Sequence, residues 1–181
     1  GKAGTSMQEI ADAAGINRTL LNYYFRTKDK LFEAVFRNAL ETFVPHLVHL
    51  INSDQSFSDY VREKVETMID TLLQNPQIPV FVLQELSTNP MRMAGLINKL
   101  GVDADKGLNK FHTEFQGTEM GNLDPRQLII NLLSLIIFPF AARPIVTEIL
   151  FGGDKKAFEQ AMLSRKEFLP GMILRSINYT R

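Results

Sequence analysis

The chain has 181 residues, 45% hydrophobic and 22% charged, which is apolar material for a packed core and, at about 150 residues per domain, one domain or one body with a small appendage. Its 20 Lys and Arg balance 20 Asp and Glu, so no overall field draws it to nucleic acid or to a membrane, and any such affinity has to be local. The absence of cysteine excludes disulfides, thiolate metal sites and thiol nucleophiles.

The opening GKAGTSMQEI lacks the apolar core of a signal peptide. The longest apolar stretch, 128–142, is interrupted by Asn131, Ser134 and Pro139 and falls short of the ~20 residues that span a bilayer. Both point to a cytoplasmic chain with no membrane partner. Apolar residues recur at helical spacing throughout and no alternating β-branched run occurs, so the fold class is all-α.

Helix breaks are expected where Gly, Pro, Asn, Asp and Ser cluster: 15–17, 52–58, 75–79, 89–90, 117–125 and 152–154, giving about eight helices. A first helix over 7–14 starts with the capping box Ser6-x-x-Glu9 and places Met7, Ile10, Ala11 and Ala14 on one face. Gly15-Ile16 makes a turn of the length used by helix-turn-helix units, and Asn17 caps a short second helix over 18–25. Leu21, Tyr24 and Phe25 are expected to point inward on that helix, leaving Arg18, Thr19, Asn22 and Tyr23 facing elsewhere. The run 28–51 contains Pro45 and is either kinked or two helices. Asp124-Pro125 and Asp154 open later helices, and Pro139 and Pro144 predict a kink or a split after 124.

At SMQEIADAAGINRTLLNYYF the chain resembles the DNA-binding head of the TetR family of bacterial transcriptional regulators. Thr5, Ser6, Ile10, Ala11, Ala14, Gly15, Ile16, Leu21, Tyr24, Phe25, Thr27, Lys28 and Leu31 meet the family pattern, and the strong match covers about 5–36. Two positions depart from it: Asn22 stands where a DNA-facing Tyr is common, and Leu20 where Thr is frequent. The resemblance implies a further amphipathic helix ahead of Gly1: either the natural protein has residues there or the head is incomplete, and the former is expected, since Ile10, Leu21 and Phe25 would otherwise lack a lid. It also implies a helix-turn-helix head over 1–40 and a helical ligand-binding and dimerisation domain over 41–181.

Groove geometry then assigns roles. The second helix of such a unit enters the major groove, where Arg18 can donate a bidentate pair to guanine, Asn22 can pair with adenine and the Thr19 methyl can meet thymine. Phosphates would be held by Thr5, Ser6, Asn17, Tyr23, Thr27 and Lys28. Residues 1–37 carry six basic side chains against four acidic, a mild surplus, so two heads on one palindromic duplex are required. The implied partner is double-stranded DNA, and the implied assembly is a homodimer through the last two long helices.

In the body, the run LIINLLSLIIF at 128–138 is apolar nearly all round, as expected for a helix with contacts on both faces. Candidate walls of an effector pocket are Phe81, Glu85, Met91, Phe111, His112, Phe115 and Phe138, with Leu83 and Met93 nearby. No phosphate-binding glycine loop, nucleophile elbow or other catalytic constellation is present, so the chain reads as a non-enzyme without cofactor or metal. The expected function is a ligand-responsive, sequence-specific regulator, a repressor released from its operator by a small apolar or amphipathic molecule. Two alternatives stay open: a helical metal protein or enzyme using His46-x-x-His49, where two ligands alone make no site, and a helical dimer whose head binds protein.

Overall fold

The computed structural model describes residues 4–52, 55–116 and 124–178, with the side chains at 42–47, 49–51 and 176–178 outside the description. The described residues form ten α-helices and no strand: α1 Met7–Ala13, α2 Arg18–Phe25, α3 Lys28–Asn52, α4 Phe57–Gln74, α5 Ile78–Thr88, α6 Pro90–Lys99, α7 Ala104–Phe115, α8 Pro125–Ala141, α9 Arg143–Phe151 and α10 Lys155–Asn178. They divide into two compact units, Gly1–Thr42 and Phe43–Arg181, with the boundary inside α3.

The first unit is built around a small core in which Ala11, Leu21 and Leu31 are buried and Met7, Ile10 and Phe25 pack against them. Local chemistry sets its turns. The Ser6 hydroxyl accepts from the Glu9 amide at 3.2 Å while the Glu9 carboxylate accepts from the Ser6 amide at 2.7 Å, the reciprocal capping box. These bonds hold the Glu9 carboxyl below its ordinary pKa. At the other end of α1, Ile16 N–H donates to the Ala11 carbonyl and Gly15 N–H to that of Asp12, with Gly15 at φ +65°. This paired stop needs a left-handed residue, which glycine adopts without a Cβ clash.

The second unit centres on α4 and α10, which pack against each other, with α8 set against α4, α5, α7 and α9. Its core holds Val61, Val65, Met68, Ile69 and Leu72 of α4, Leu132, Ile136 and Phe140 of α8, and Phe158, Met162 and Leu169 of α10. Phe158 is the hinge pin of one corner. It meets Phe140 of α8 and Phe151 of α9 edge-on at 6.1 and 5.8 Å, and the Arg143 guanidinium lies 5.2 Å above its ring while pairing with Glu159 at 2.7 Å. A second ion pair, Lys166 to Asp70 at 2.5 Å, ties α10 to α4.

α7 closes the opposite end. Lys106 Nζ donates to Asn52 Oδ1 at 2.5 Å at the end of α3, and Glu114 Oε1 accepts from the Phe57 amide at 2.5 Å at the start of α4. The Phe57 ring sits edge-on to Phe111 and Phe115 at 5.3 and 5.1 Å.

The prolines act differently at each site. α3 runs unbroken through Pro45, so the two-helix alternative does not hold: an interior proline removes one ladder bond, which a helix of 25 residues absorbs. α8 continues past Pro139 to Ala141, and the split falls at Ala142, where Pro144 opens α9 and the axis turns by 78°. No single described helix is long and apolar enough to cross a membrane, although α8 and α9 together would be, were they not bent. Having no N–H, Pro139 leaves the Leu135 carbonyl without its ladder donor; Arg165 Nη2 of α10 supplies one at 2.8 Å. Arg165→Met is therefore expected to cost about 1–3 kcal/mol. In a Pro139→Ala background, which restores the backbone donor, urea denaturation should show a clearly smaller cost; an equal cost in both would separate Arg165 from the proline.

Candidate nucleic-acid interface and effector groove

On α2, burial of Leu21 and partial burial of Phe25 fix the helix rotation, and Arg18, Thr19, Asn22 and Tyr23 stand exposed on the rest of its surface. Tyr24 does not point inward as its spacing predicts. It is 69% exposed, with its ring edge-on to that of Tyr23 at 5.4 Å, because the small core reaches only the 21/25 stripe of a helix two turns long.

Apart from Tyr23, which is 76% exposed on α2, the candidate phosphate ligands lie at helix starts, where bonds that shape the head already engage them. Asn17 Oδ1 accepts from the Thr19 amide at 2.7 Å and Thr27 Oγ1 from the Lys30 amide at 3.2 Å, which leaves the Asn17 amide group and the Thr27 hydroxyl hydrogen as donors. Lys28 Nζ donates to the Thr5 carbonyl at 2.8 Å, so Thr5 and Ser6 before α1 are brought beside Thr27 and Lys28 at the start of α3. The turn between α2 and α3 is tight: Thr27 N–H bonds the Phe25 carbonyl across Arg26, which takes φ +52° and ψ −41°, a strained positive-φ γ-turn.

In the second unit a groove of about 700 Å³ is lined by Leu83 and Leu86 of α5, a long stretch of α8 that includes Leu133, Ser134 and Phe138, and Arg165 of α10. Of the pocket candidates read from the sequence, Phe138 lines it, as does Leu83. The others lie elsewhere: Phe111 is in the core with Phe115 packed against it, Met91 is 85% exposed, His112 is exposed and Phe81 is half-buried. Met93 is fully buried. Glu85 is 5% exposed and accepts a long hydrogen bond, 3.4 Å, from Asn89 Nδ2.

Sequence reasoning missed Arg165, because its significance lies in a carbonyl freed by Pro139 thirty positions earlier. It also missed Lys64, a buried ammonium whose pKa desolvation lowers to about 8. The His46 and His49 side chains lie outside the described residues. Among those described, no group of three or more His, Cys, Asp or Glu is placed to hold a metal ion.

Residues 1–35 match the family described as bacterial regulatory proteins, tetR family. The HTH-type transcriptional regulator RutR of Escherichia coli (strain K12) is 28% identical over 134 residues, covering 71% of this chain and 61% of that protein. RutR of Shigella flexneri gives the same figures. An uncharacterized HTH-type transcriptional regulator of Mycobacterium tuberculosis is 28% identical over 89 residues, 49% of this chain and 38% of that protein. The matched region thus spans less than two thirds of these relatives.

Two outcomes test this geometry. Gly15→Ala should destabilise the head by about 1–2 kcal/mol, the strain of a left-handed residue with a Cβ, read as faster hydrogen exchange at Ile16 and Leu21. Lys64 has a folded pKa near 8 against an ordinary 10.5, so the unfolded chain holds more protons between these values. Stability of the wild type relative to Lys64→Met should therefore rise from pH 8 to 10.5 and fall back as pH drops through 8, followed by urea midpoints.

Proposed function

We propose, from the premise that the head belongs to the TetR family of bacterial regulatory proteins, that the chain is a sequence-specific DNA-binding transcription regulator whose affinity responds to a small molecule. The observation that carries the reading is the polar array on α2, Arg18, Thr19, Asn22 and Tyr23, presented to solvent by the burial of Leu21 beneath it. Similarity to proteins named as HTH-type transcriptional regulators supports it.

In this reading α2 enters the major groove, with Arg18 on guanine, Asn22 on adenine and the Thr19 methyl on thymine. Thr5, Ser6, Asn17, Tyr23, Thr27 and Lys28 meet phosphates, with Lys28 acting twice, since it also fastens Thr5. Two heads about 34–36 Å apart read a palindrome, so the working form is a homodimer. Its interface is α8 and α10, which leave Ile130, Leu163 and Phe168 exposed outside the groove lining. The protein is a cytoplasmic repressor without catalytic activity: an effector that prefers a body conformation with misplaced heads lowers DNA affinity by its differential affinity for the two states.

Selection of bound sequences from random duplexes should enrich a two-half-site palindrome. Arg18→Ala should then cost about 1–3 kcal/mol at a single base position. Lys28→Ala should weaken all duplexes alike and flatten the salt dependence. Equal losses on operator and random DNA for Arg18→Ala would remove that residue from base readout, and a folded dimer that enriches nothing would remove the reading itself.

A further inference from the structure

The groove on the second unit is apolar apart from two side chains, the Ser134 hydroxyl and the Arg165 guanidinium. Its volume of about 700 Å³ falls in the range of small-molecule sites. Arg165 is half-buried and carries five N–H donors, one of which bonds the neutral Leu135 carbonyl. Among the described residues no carboxylate pairs with it. The acids on the surrounding helices are placed elsewhere: α8 contains none, Asp124 before it holds Arg126, Glu159 holds Arg143, Asp70 holds Lys166, Glu85 is buried beside Asn89, and Glu167 is exposed. Desolvation lowers the Arg165 pKa, as for a cation lacking a counter-charge. A guanidinium taken partly out of water among leucines is stabilised by an anion more than by any neutral group.

We propose that this groove binds an amphipathic monoanion, one carboxylate or sulfonate on an apolar tail, with the anion on Arg165 and the tail along Leu83, Leu86 and Phe138. As an effector site this rests on the regulator reading; as a binding site it stands on the groove alone. A second copy of the chain is the competing occupant: α8 offers no acidic residue to meet Arg165 across an interface and Glu159 of α10 already holds Arg143, which leaves Glu167 as the one acid of these two helices that a partner could bring to it.

Calorimetry with octanoate and its uncharged counterpart 1-octanol tests the assignment on the full chain. Octanoate should saturate at one site per subunit, and Arg165→Met should weaken it about tenfold or more, the scale of a lost charge-assisted hydrogen bond, while 1-octanol binding stays unchanged. Because Arg165→Met also frees the Leu135 carbonyl, Ser134→Asp serves as the second variant: it sets a carboxylate in the groove, keeps the Arg165–Leu135 bond, and should weaken octanoate to a similar extent. Three results would overturn the proposal: no saturable binding, equal octanoate affinity in the wild type and both variants, or binding only as dimers dissociate in sedimentation, which would give the groove to a second copy. Saturable octanoate binding without an enriched palindrome would retain the anion site and remove the regulator; a palindrome without octanoate binding would do the reverse.

Discussion

The Leu135 carbonyl has to find a donor, and the arrangement of the second unit turns on where it finds one. α8 is the helix against which α4, α5, α7 and α9 all pack, and Pro139 interrupts its ladder one turn before it ends. The Leu135 carbonyl is half-buried, and a fully buried one left without a donor costs about 1–3 kcal/mol, which sets the upper bound here. The guanidinium that meets it comes from α10, so the same contact that repairs α8 also fixes α10 against it and sets a cation at the edge of an apolar groove. Fold repair and ligand chemistry share one side chain.

The head solves a different problem. It has few apolar residues to bury, with Ala11, Leu21 and Leu31 as its core. Its order comes from short-range bonds: a capping box at Ser6 and Glu9, a glycine stop at Gly15, side-chain caps at Asn17 and Thr27, and the Lys28–Thr5 tie. These devices consume the backbone groups at helix ends and leave the outer surface of α2 to polar side chains that the fold does not require. That division of labour frees the exposed residues at 18, 19, 22 and 23 from holding the head together.

What the sequence made legible is what depends on neighbours in the chain. The capping box, the Asn17, Asp124 and Asp154 caps and the turn at Gly15 are governed by residues within a few positions, and each stands where spacing placed it, whereas of the two breaks expected at Pro139 and Pro144 only the second occurs. The break between α6 and α7 went unread, although Gly101 at φ +87° and the Asp103 cap mark it, because the run around them keeps a helical apolar period. Tyr24 failed because inwardness depends on how far the neighbouring elements extend. The pocket walls failed for the same reason: Phe111 and Met91 have similar apolar character, and only packing sends one to the core and leaves the other 85% exposed.

The α7 contacts bear on how this protein tolerates change. With Lys106 on Asn52 and Glu114 on the Phe57 amide, α7 holds both flanks of the α3–α4 connection, as a splint holds the two sides of a fracture. The spacing of those two flanks is thus held by α7 as well as by the chain that joins them. Constraint thereby falls on Lys106 and Glu114, two surface polar residues that would otherwise pass for ordinary solvent-facing charge.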